Sequence, residues 1–358
     1  MKRWFLVLPA LLATPLFAQQ PPPEIPFDSV ADYFKYPAEM NLGEMGSVAV
    51  NSQKHVFMVS RSNVSGPLFG SIATQLLEFD QNGKYLREIG KGLYGFGYSH
   101  SVRVDKDDNI WVVDKGTNMI MKFNPMGHVM MVLGRKEEAP DEHEYPKRGA
   151  PPPRHVDNYF NQPTDVTWDA QGNIYISDGY QNSRIAKISK DGDWIKSWGS
   201  RGTDPGQFNT PHNIGIDNNG NIYVADRGNA RIQVFNTDGE YLRTIKINIP
   251  VPPGARFVLG DTPAVLPTSG SQAPGAPWTI CITQGATQYL YTNDAFPGRF
   301  YKLTLDGKVV GMFGKAGRQL KQFNWNHGIA CPSENELYVA DLNNWRVQKL
   351  LLHPEKAK

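Results

Sequence analysis

Apolar and polar residues alternate along most of the chain in short runs separated by Gly, Asn and Asp. Residues 162–199 and 210–245 show this most clearly, because each holds a strand-like run ending in Asp, then Asn-x-Arg-Ile and an Asp-Gly pair. A period of two predicts strands, and Asp-Gly predicts tight hairpins, since glycine tolerates the positive φ that these turns require. Each stretch is therefore predicted to form four short antiparallel strands.

The same frame recurs along the chain. Its strand-ending aspartates are Asp114, Asp178, Asp226, Asp294 and Asp341, and a more diverged copy occupies residues 48–89. The step from Asp178 to Asp226 is 48 residues, and the step from Asp294 to Asp341 is 47. A repeat of this length with four strands per unit is typical of a β-propeller blade. Six copies predict an all-β, six-bladed β-propeller with four antiparallel strands per blade, in which a strand from about residues 27–40 completes the last blade.

The predicted organisation includes segments outside the blades. They are a signal peptide at 1–18, a proline-rich lead with the ring-closing strand at 19–40, the propeller at 41–352 with insertions at about 135–158 and 248–276, and a tail at 353–358. The first segment has a basic start, an apolar stretch and a small residue at its exit, as secretory signals do; a retained membrane anchor is the alternative. Both insertions precede the first strand of a blade, so we expect a rim, a lid or an irregular excursion on one face.

The charge balance excludes a nucleic-acid surface. The chain has 37 basic and 35 acidic residues, and the predicted signal contains Lys2 and Arg3, so the exported chain is near neutral. A nucleic-acid-binding protein needs a basic stripe. No later segment has the length or apolarity of a transmembrane helix. The predicted signal peptide makes us expect a secreted or periplasmic protein, and we expect it to be a monomer.

Cysteine is scarce, with only Cys281 and Cys331 in the chain. A disulfide framework cannot be what holds this fold together. The two residues lie near the starts of successive repeats but out of phase in strand alternation. A bridge between them is therefore not favoured by the pattern, although it stays open.

Three histidines, His100, His212 and His327, each stand just ahead of an apolar strand-like run and are 112 and 115 residues apart. These steps are close to twice the repeat, so the three occupy the same place in alternate blades. In a closed ring of six, their side chains would converge on the axis with threefold spacing. Three imidazoles around one point suit a metal ion with an open coordination position. The plain alternative is three histidines that share equivalent loops by chance or for packing.

The residue after the second strand of each blade is a second informative place. It holds Arg61 in the first blade and Arg227 in the fourth, and Tyr180 lies one residue beyond it in the third. These residues leave their strands at the end of the ring that carries the histidines. Guanidinium groups grip a carboxylate with two parallel hydrogen bonds, and a tyrosine beside a divalent cation can act as a base. Taken singly, each would more often be a surface residue or a contact between blades.

Several stretches together resemble a known family. They are Val59-Ser60-Arg61, Ser99-His100-Ser101-Val102, Gln162-Pro163-Thr164-Asp165-Val166, Ser177-Asp178-Gly179-Tyr180, Pro211-His212, Ala225-Asp226-Arg227 and Asn326-His327. The units resemble NHL repeats, and the whole set resembles the peptidyl-α-hydroxyglycine α-amidating lyases, which are six-bladed NHL propellers. The resemblance spans roughly residues 44–350.

The resemblance implies a reaction and roles for site residues. His100, His212 and His327 would hold a catalytic zinc or another divalent metal. Tyr180 would take the proton from the substrate hydroxyl, and Arg61 and Arg227 would bind the carboxylate. The reaction would cleave the N–C bond of a peptidyl-α-hydroxyglycine or a similar carbinolamide acid to an amide and glyoxylate. The partner is thus a small molecule or peptide that bears a carboxylate.

The resemblance also implies a structural calcium, but the sequence departs from the family there. The calcium would take backbone carbonyls that correspond to Val48 and Val102. Where the family has its calcium-binding aspartate, this chain has Gly328, which argues against calcium. Two residues before the last histidine the family has Met, and this chain has Trp325.

Two other functions fit a propeller. A non-catalytic NHL propeller that binds a peptide or glycan would explain the repeats, but it leaves the alternating histidines and the Arg and Tyr residues without a role. A lactonase-like hydrolase would draw acidic and amide ligands to calcium, and no clear carboxylate cluster is predicted at the blade mouths. Metal analysis of the purified protein separates the lyase from the scaffold.

Overall fold

The computed structural model describes residues 22–62, 73–136 and 155–357. The predicted signal peptide at 1–18 lies outside the described residues, as do most of the insertion at 135–158 and the last residue of the tail. The described residues form six four-stranded sheets, so the predicted all-β six-bladed propeller is confirmed.

Strand β1 (Phe27–Ser29) comes before all six blades in the sequence. Blade one consists of β2 (Glu44–Val50), β3 (Val56–Arg61), β4 (Thr74–Phe79) and β5 (Tyr85–Ile89). Blade two consists of β6 (Ser99–Val104), β7 (Ile110–Asp114), β8 (Met119–Phe123) and β9 (Val129–Gly134). Blade three consists of β10 (Asp165–Trp168), β11 (Ile174–Asp178), β12 (Arg184–Ile188) and β13 (Trp194–Trp198).

The other three blades follow the same order. Blade four consists of β14 (Pro211–Ile216), β15 (Ile222–Asp226), β16 (Arg231–Phe235) and β17 (Tyr241–Ile245). Blade five consists of β18 (Cys281–Ile282), β19 (Tyr289–Asn293), β20 (Phe300–Thr304) and β21 (Val309–Phe313). A short parallel pair, β22 (Lys315–Ala316) and β23 (Gln322–Phe323), leads to blade six, which contains β24 (Asn326–Ser333), β25 (Glu336–Asp341) and β26 (Arg346–Leu352).

The N-terminal strand closes the ring. Strand β1 pairs antiparallel with β26, with Phe27 opposite Leu352, and becomes the outermost strand of blade six. The strand expected from residues 27–40 is thus three residues long. Closure removes the exposed edge that the last blade would otherwise present, because β26 would have no partner on that side.

The described helices are single turns at Arg227–Asn229, Leu342–Asn344 and Pro354–Lys356. Within the described part of the chain, no helix has the length and apolarity needed to span a bilayer.

The core lies between neighbouring blades rather than inside one sheet. Each cluster of buried side chains contains residues from two neighbouring blades. For example, Trp111 of blade two packs with Val166 and Ile176 of blade three. Strands buried on both faces therefore read as nearly continuous apolar runs, as in Ile222–Asp226. Burying a large aliphatic or aromatic side chain contributes about 1.5–3 kcal/mol, so stability depends on closing the ring.

The repeated aspartates anchor the loops that carry the histidines. The carboxylate of Asp226 accepts hydrogen bonds from Arg231 Nε at 2.8 Å and from the backbone N–H of Asn209 at 2.7 Å. Asp341 binds Arg346 and Asn324 in the same way in blade six. The loop thus fixed leads within three residues to a histidine, which ties the repeat motif to the site.

Cys281 and Cys331 form a disulfide, with Cα atoms 6.1 Å apart, a pairing that the alternation pattern left open but did not favour. At each interface between blades, one blade presents one face of its sheet and its neighbour presents the opposite face. Ile280 and Ile282 accordingly pack between blades four and five, while Cys281 joins Cys331 and Ile329 between blades five and six. Positions that are out of phase in alternation are therefore the ones that meet across a blade interface.

Candidate metal centre

Three histidines from alternate blades meet at the centre of the ring. Each of His100, His212 and His327 offers one ring nitrogen, and these three atoms all lie within 4.8 Å of one another. The Nε2 atoms of His100 and His212 are 3.2 Å apart. All three side chains are buried. The structure thus brings together the trio that the alternate-blade spacing predicts.

A bulge at each histidine explains its direction. In blade two, Ser99 pairs with Asp114 and Ser101 with Val113, which leaves His100 without a partner on β7. The same shift occurs around His212 on β14 and around His327 on β24. A bulge inserts one unpaired residue and re-aims its side chain. Here it turns each imidazole toward the axis.

The other ring nitrogen of each histidine is held by the following blade. The Nδ1 atoms of His100, His212 and His327 each lie 2.7 Å from a backbone oxygen, that of Thr164, Trp278 and Gly46 respectively. A carbonyl oxygen only accepts, so each Nδ1 carries the hydrogen and donates it. Each Nε2 therefore presents a lone pair to the centre, which is the tautomer that a metal ligand needs.

The electrostatic surroundings keep these rings neutral. Burial is the largest cause that lowers the pKa of all three imidazoles well below the usual value, and nearby positive charges lower it further. A neutral imidazole is the form that binds a metal ion. The three buried, neutral and oriented imidazoles fit a divalent cation such as zinc.

Tyr180 reaches the same centre from blade three. Its hydroxyl oxygen lies 3.2 Å from Nε2 of His100 and 3.3 Å from Nε2 of His212. Burial acts to raise the pKa of Tyr180, but the charges of Arg227, Lys115 and Arg61 outweigh burial and lower that pKa overall. The phenol is therefore poised to exchange a proton beside the histidines.

The two predicted arginines both lie near enough to Tyr180 to lower its pKa, and each is held by different neighbours. The guanidinium of Arg61 donates from Nε to the Ser99 oxygen at 3.0 Å and from Nη1 to Glu44 at 3.0 Å, while its buried Nη2 has no hydrogen-bond partner. The guanidinium of Arg227 stacks 4.3 Å from the Trp278 ring centroid and 5.6 Å from that of Tyr180. Both are buried, so their charges are weakly screened.

Lys115 is a site residue to which the sequence prediction gave no role. Its Nζ lies 3.7 Å from the centroid of the Tyr180 ring and 5.5 Å from that of Tyr98. It follows the second strand of blade two, the same place that Arg61 and Arg227 hold in their blades. That shared place was the available signal. With it, three cations surround Tyr180.

An aromatic wall forms the other side of the centre. The Trp278 ring centroid lies 5.3 Å from that of His212 and 5.3 Å from that of Trp325. Trp278 Nε1 donates to the Ser271 oxygen at 2.8 Å, so part of the insertion at 248–276 supports this wall. The site is therefore cationic toward blades one, two and four and aromatic toward blades five and six.

The described residues do not fit the structural calcium that the resemblance implies. A Cβ atom at Gly328 would lie 2.6 Å from Cα of Ser47, so blade one fills the space that an aspartate side chain would need. The Val102 carbonyl faces the Ser47 hydroxyl at 3.5 Å. A calcium ion at the Val48 and Val102 carbonyls would therefore lack the carboxylate partner that residue 328 would have to supply.

Comparison with known proteins finds a repeat family and several related amidating enzymes. A family model described as the NHL repeat matches residues 208–235. The chain is 30% identical over 296 residues to the peptidyl-glycine alpha-amidating monooxygenase of Mus musculus, an alignment covering 77% of this chain and 26% of that protein. It is 27% identical over 292 residues to the peptidyl-alpha-hydroxyglycine alpha-amidating lyase 1 of Drosophila melanogaster, covering 77% of this chain and 48% of the relative. The chain thus spans about a quarter to a half of the length of these relatives.

Solved structures agree on the architecture. A virginiamycin B lyase from Staphylococcus aureus aligns with a TM-score of 0.55 and 15% identity, covering 92% of this chain and 100% of that one. A gluconolactonase from Xanthomonas campestris aligns with a TM-score of 0.54 and 12% identity, covering 87% of each chain. At such identities the likeness shows the propeller fold alone.

Proposed function

We propose that this chain, which is a six-bladed propeller with NHL repeats homologous to the peptidyl-α-hydroxyglycine α-amidating lyases, is an exported metal-dependent lyase. It would cleave the N–C bond of a peptidyl-α-hydroxyglycine or a similar carbinolamide acid to an amide and glyoxylate. One observation carries the proposal: the Tyr180 hydroxyl lies within 3.3 Å of Nε2 of both His100 and His212, and three cations act on it.

The metal would be held by His100, His212 and His327. Zinc bound there supplies a Lewis acid that polarises an oxygen of the substrate. The histidines contribute Nε2 lone pairs that are fixed in place before binding, because each Nδ1 is already bonded to a backbone oxygen. Little rearrangement is then needed when the ion binds.

Tyr180 would handle the proton. Its phenolate oxygen takes the proton from the substrate hydroxyl, the C–N bond breaks with its electron pair going to nitrogen, and the hydroxyl-bearing carbon becomes the aldehyde carbon of glyoxylate. The departing amide nitrogen gains the proton that the hydroxyl loses. The atoms and electrons balance, so no oxidant or reductant takes part. A base of this kind contributes about 10²–10⁴-fold to the rate.

Arg61, Arg227 and Lys115 would bind the carboxylate of the substrate. Arg61 has a buried Nη2 without a partner, which offers a donor to an incoming anion. Glu44 is the carboxylate that pairs with Arg61, and its side chain is 34% exposed, so it compensates the positive charge only in part. Buried cations of this kind favour an anionic substrate and stabilise charge that develops during bond cleavage.

The aromatic wall would set the orientation of the substrate. With the carboxylate toward the cations, the acyl part of the substrate would lie toward Trp325, which is partly exposed and packs on Trp278. The physiological substrate would be a peptide or small molecule that bears a carboxylate. The protein would act on it outside the cytoplasm, as a monomer. The candidate metal group among the described residues has three imidazoles and no carboxylate, which does not favour the lactonase alternative.

The reaction can be tested with α-hydroxyhippurate. We expect the purified protein to contain about one zinc per chain and to release glyoxylate and benzamide in equal amounts. Glyoxylate is measured by a coupled dehydrogenase, benzamide by chromatography and zinc by elemental analysis. A matched sample freed of metal should lose the activity and regain it when zinc is restored.

Two results would contradict the proposal. Protein that is free of metal and still binds peptides tightly would indicate the non-catalytic scaffold. Hydrolysis of a sugar lactone with no release of glyoxylate from α-hydroxyhippurate would indicate the lactonase-like hydrolase.

A further inference from the structure

The first strands of the blades line the centre of the ring, which we call the central channel, and a buried ion pair lies there beside the histidines. Arg103 of blade two donates from Nε to Asp165 Oδ1 at 3.0 Å and from Nη2 to Asp165 Oδ2 at 2.5 Å. The Arg103 side chain is 18% exposed, and the Asp165 side chain is fully buried. This pair joins blades two and three in the two-pronged geometry that is strongest for a guanidinium and a carboxylate.

The same guanidinium reaches two further blades. Arg103 Nη2 lies 2.8 Å from Asn213 Oδ1 and 3.5 Å from the backbone oxygen of Ile214, both in blade four, and 3.1 Å from the oxygen of Ile280 in blade five. The acceptors are bound in turn, since Asp165 Oδ2 accepts from Ile214 N–H at 3.1 Å and Asn213 Oδ1 from Ile280 N–H at 2.6 Å. One side chain therefore links four blades.

These carbonyls belong to the level of the channel where the resemblance implies a calcium ion. Ile214 and Ile280 stand two residues after His212 and Trp278, as Val102 stands two residues after His100. The Arg103 guanidinium already lies beside two of these backbone oxygens, those of Ile214 and Ile280. The carboxylate of Asp165 is already paired with Arg103, and Gly328 adds no other, so a calcium ion beside the guanidinium would find no free carboxylate ligand among these residues.

The network is adjacent to the metal centre. Asp165 follows Thr164, whose backbone oxygen binds Nδ1 of His100, and Asn213 follows His212 directly. Holding Asp165 and Asn213 therefore fixes the backbone on which two of the three imidazoles depend. Substituting a residue that orients metal ligands in this way typically weakens metal binding about 10–100-fold.

We propose that Arg103 is a built-in structural cation, which takes the place of calcium in the channel and positions His100 and His212 for the catalytic metal. The positioning part rests on the proposed metal centre. The calcium part does not, so the two can fail separately.

The positioning role is tested by Arg103→Met, which keeps much of the side-chain length and removes the charge. Losing one partner of a buried pair should lower the Tm by about 5–10 °C, and zinc affinity, measured by competition with a zinc-binding dye, should fall about 10–100-fold. The double variant Arg103→Met with Asp165→Asn no longer buries an unpaired charge, so it should recover at least about half of the lost Tm while its zinc affinity stays weak.

The matched control is Arg87→Met, which removes an arginine that pairs with Glu78 near the outside of blade one. It should leave zinc affinity unchanged whatever it costs in Tm, because Arg87 and Glu78 lie on the two outer strands of blade one and not beside the histidines. Full zinc affinity in the refolded double variant would show that Arg103 supports packing alone and would overturn the positioning role. Absence of zinc binding in the unaltered protein would instead overturn the proposed function.

The calcium part is tested on the unaltered holoprotein after passage over a calcium-chelating resin. Adding calcium chloride should shift the Tm by less than about 1 °C, because a ligand stabilises only a site that it can occupy. Elemental analysis should find no stoichiometric calcium. A rise of several degrees that is specific to calcium over magnesium would show that the ion site exists and that Arg103 does not replace it.

Discussion

Replacing His212 by alanine is expected to abolish stoichiometric zinc binding and to lower kcat/KM for glyoxylate release by about 10³-fold or more. His212 Nε2 is one of three converging donors, and an alanine leaves only the imidazoles of His100 and His327. A catalytic metal contributes several kcal/mol of transition-state stabilisation, and each 1.36 kcal/mol corresponds to a tenfold change in rate. Zinc per chain is measured by elemental analysis, and kcat/KM with α-hydroxyhippurate.

The matched control for that variant is His128→Ala. His128 is an exposed histidine in the hairpin turn between β8 and β9 of blade two, and it is not part of the metal group. It should retain zinc and activity within about twofold, since surface substitutions usually have small effects. A His212→Ala protein that is folded and still contains one zinc per chain would show that the trio serves packing, and the metal assignment would be lost.

The repeat made most of the fold predictable. Asp-Gly hairpins and strand-ending aspartates recur at nearly constant steps because each blade must turn at the same points to pack on its neighbours. The convergence of His100, His212 and His327 followed from the same frame, since equivalent places in alternate blades are related by the ring itself. The sequence did not show the bulge that turns these side chains inward, because a bulge is a feature of pairing between strands.

What sequence reasoning missed depends on contacts between blades. The Cys281–Cys331 bridge depends on which faces of two sheets meet, and alternation within each strand cannot reveal that. Lys115 occupies an informative place, but its importance comes from its distance to the ring of Tyr180. Arg103 reads as an ordinary polar residue on a strand until its partners in three other blades are known.

Replacing Tyr180 by phenylalanine is expected to lower kcat about 10²–10⁴-fold while zinc content stays at one per chain. The change removes the hydroxyl that lies 3.2 Å and 3.3 Å from two histidine nitrogens and keeps the ring on which Lys115 stacks at 3.7 Å. The imidazoles depend on backbone oxygens for their orientation, so the metal ligands should stay in place. Activity and zinc content, measured on the same preparation, separate a lost base from a lost metal.

The matched control is Tyr94→Phe, because Tyr94 is 58% exposed and lies outside the site. It should leave kcat unchanged within about twofold. If Tyr180→Phe lost zinc in proportion to activity, the hydroxyl would be part of the metal-binding set and not the base. If instead kcat stayed the same, the proton would have to leave through another group beside the histidines. Lys115 has its Nζ 3.7 Å from the centroid of that ring, and burial lowers its pKa, so it would be the next group to substitute. A clear loss of kcat with full zinc content is therefore the result that ties the proton step to this one oxygen atom.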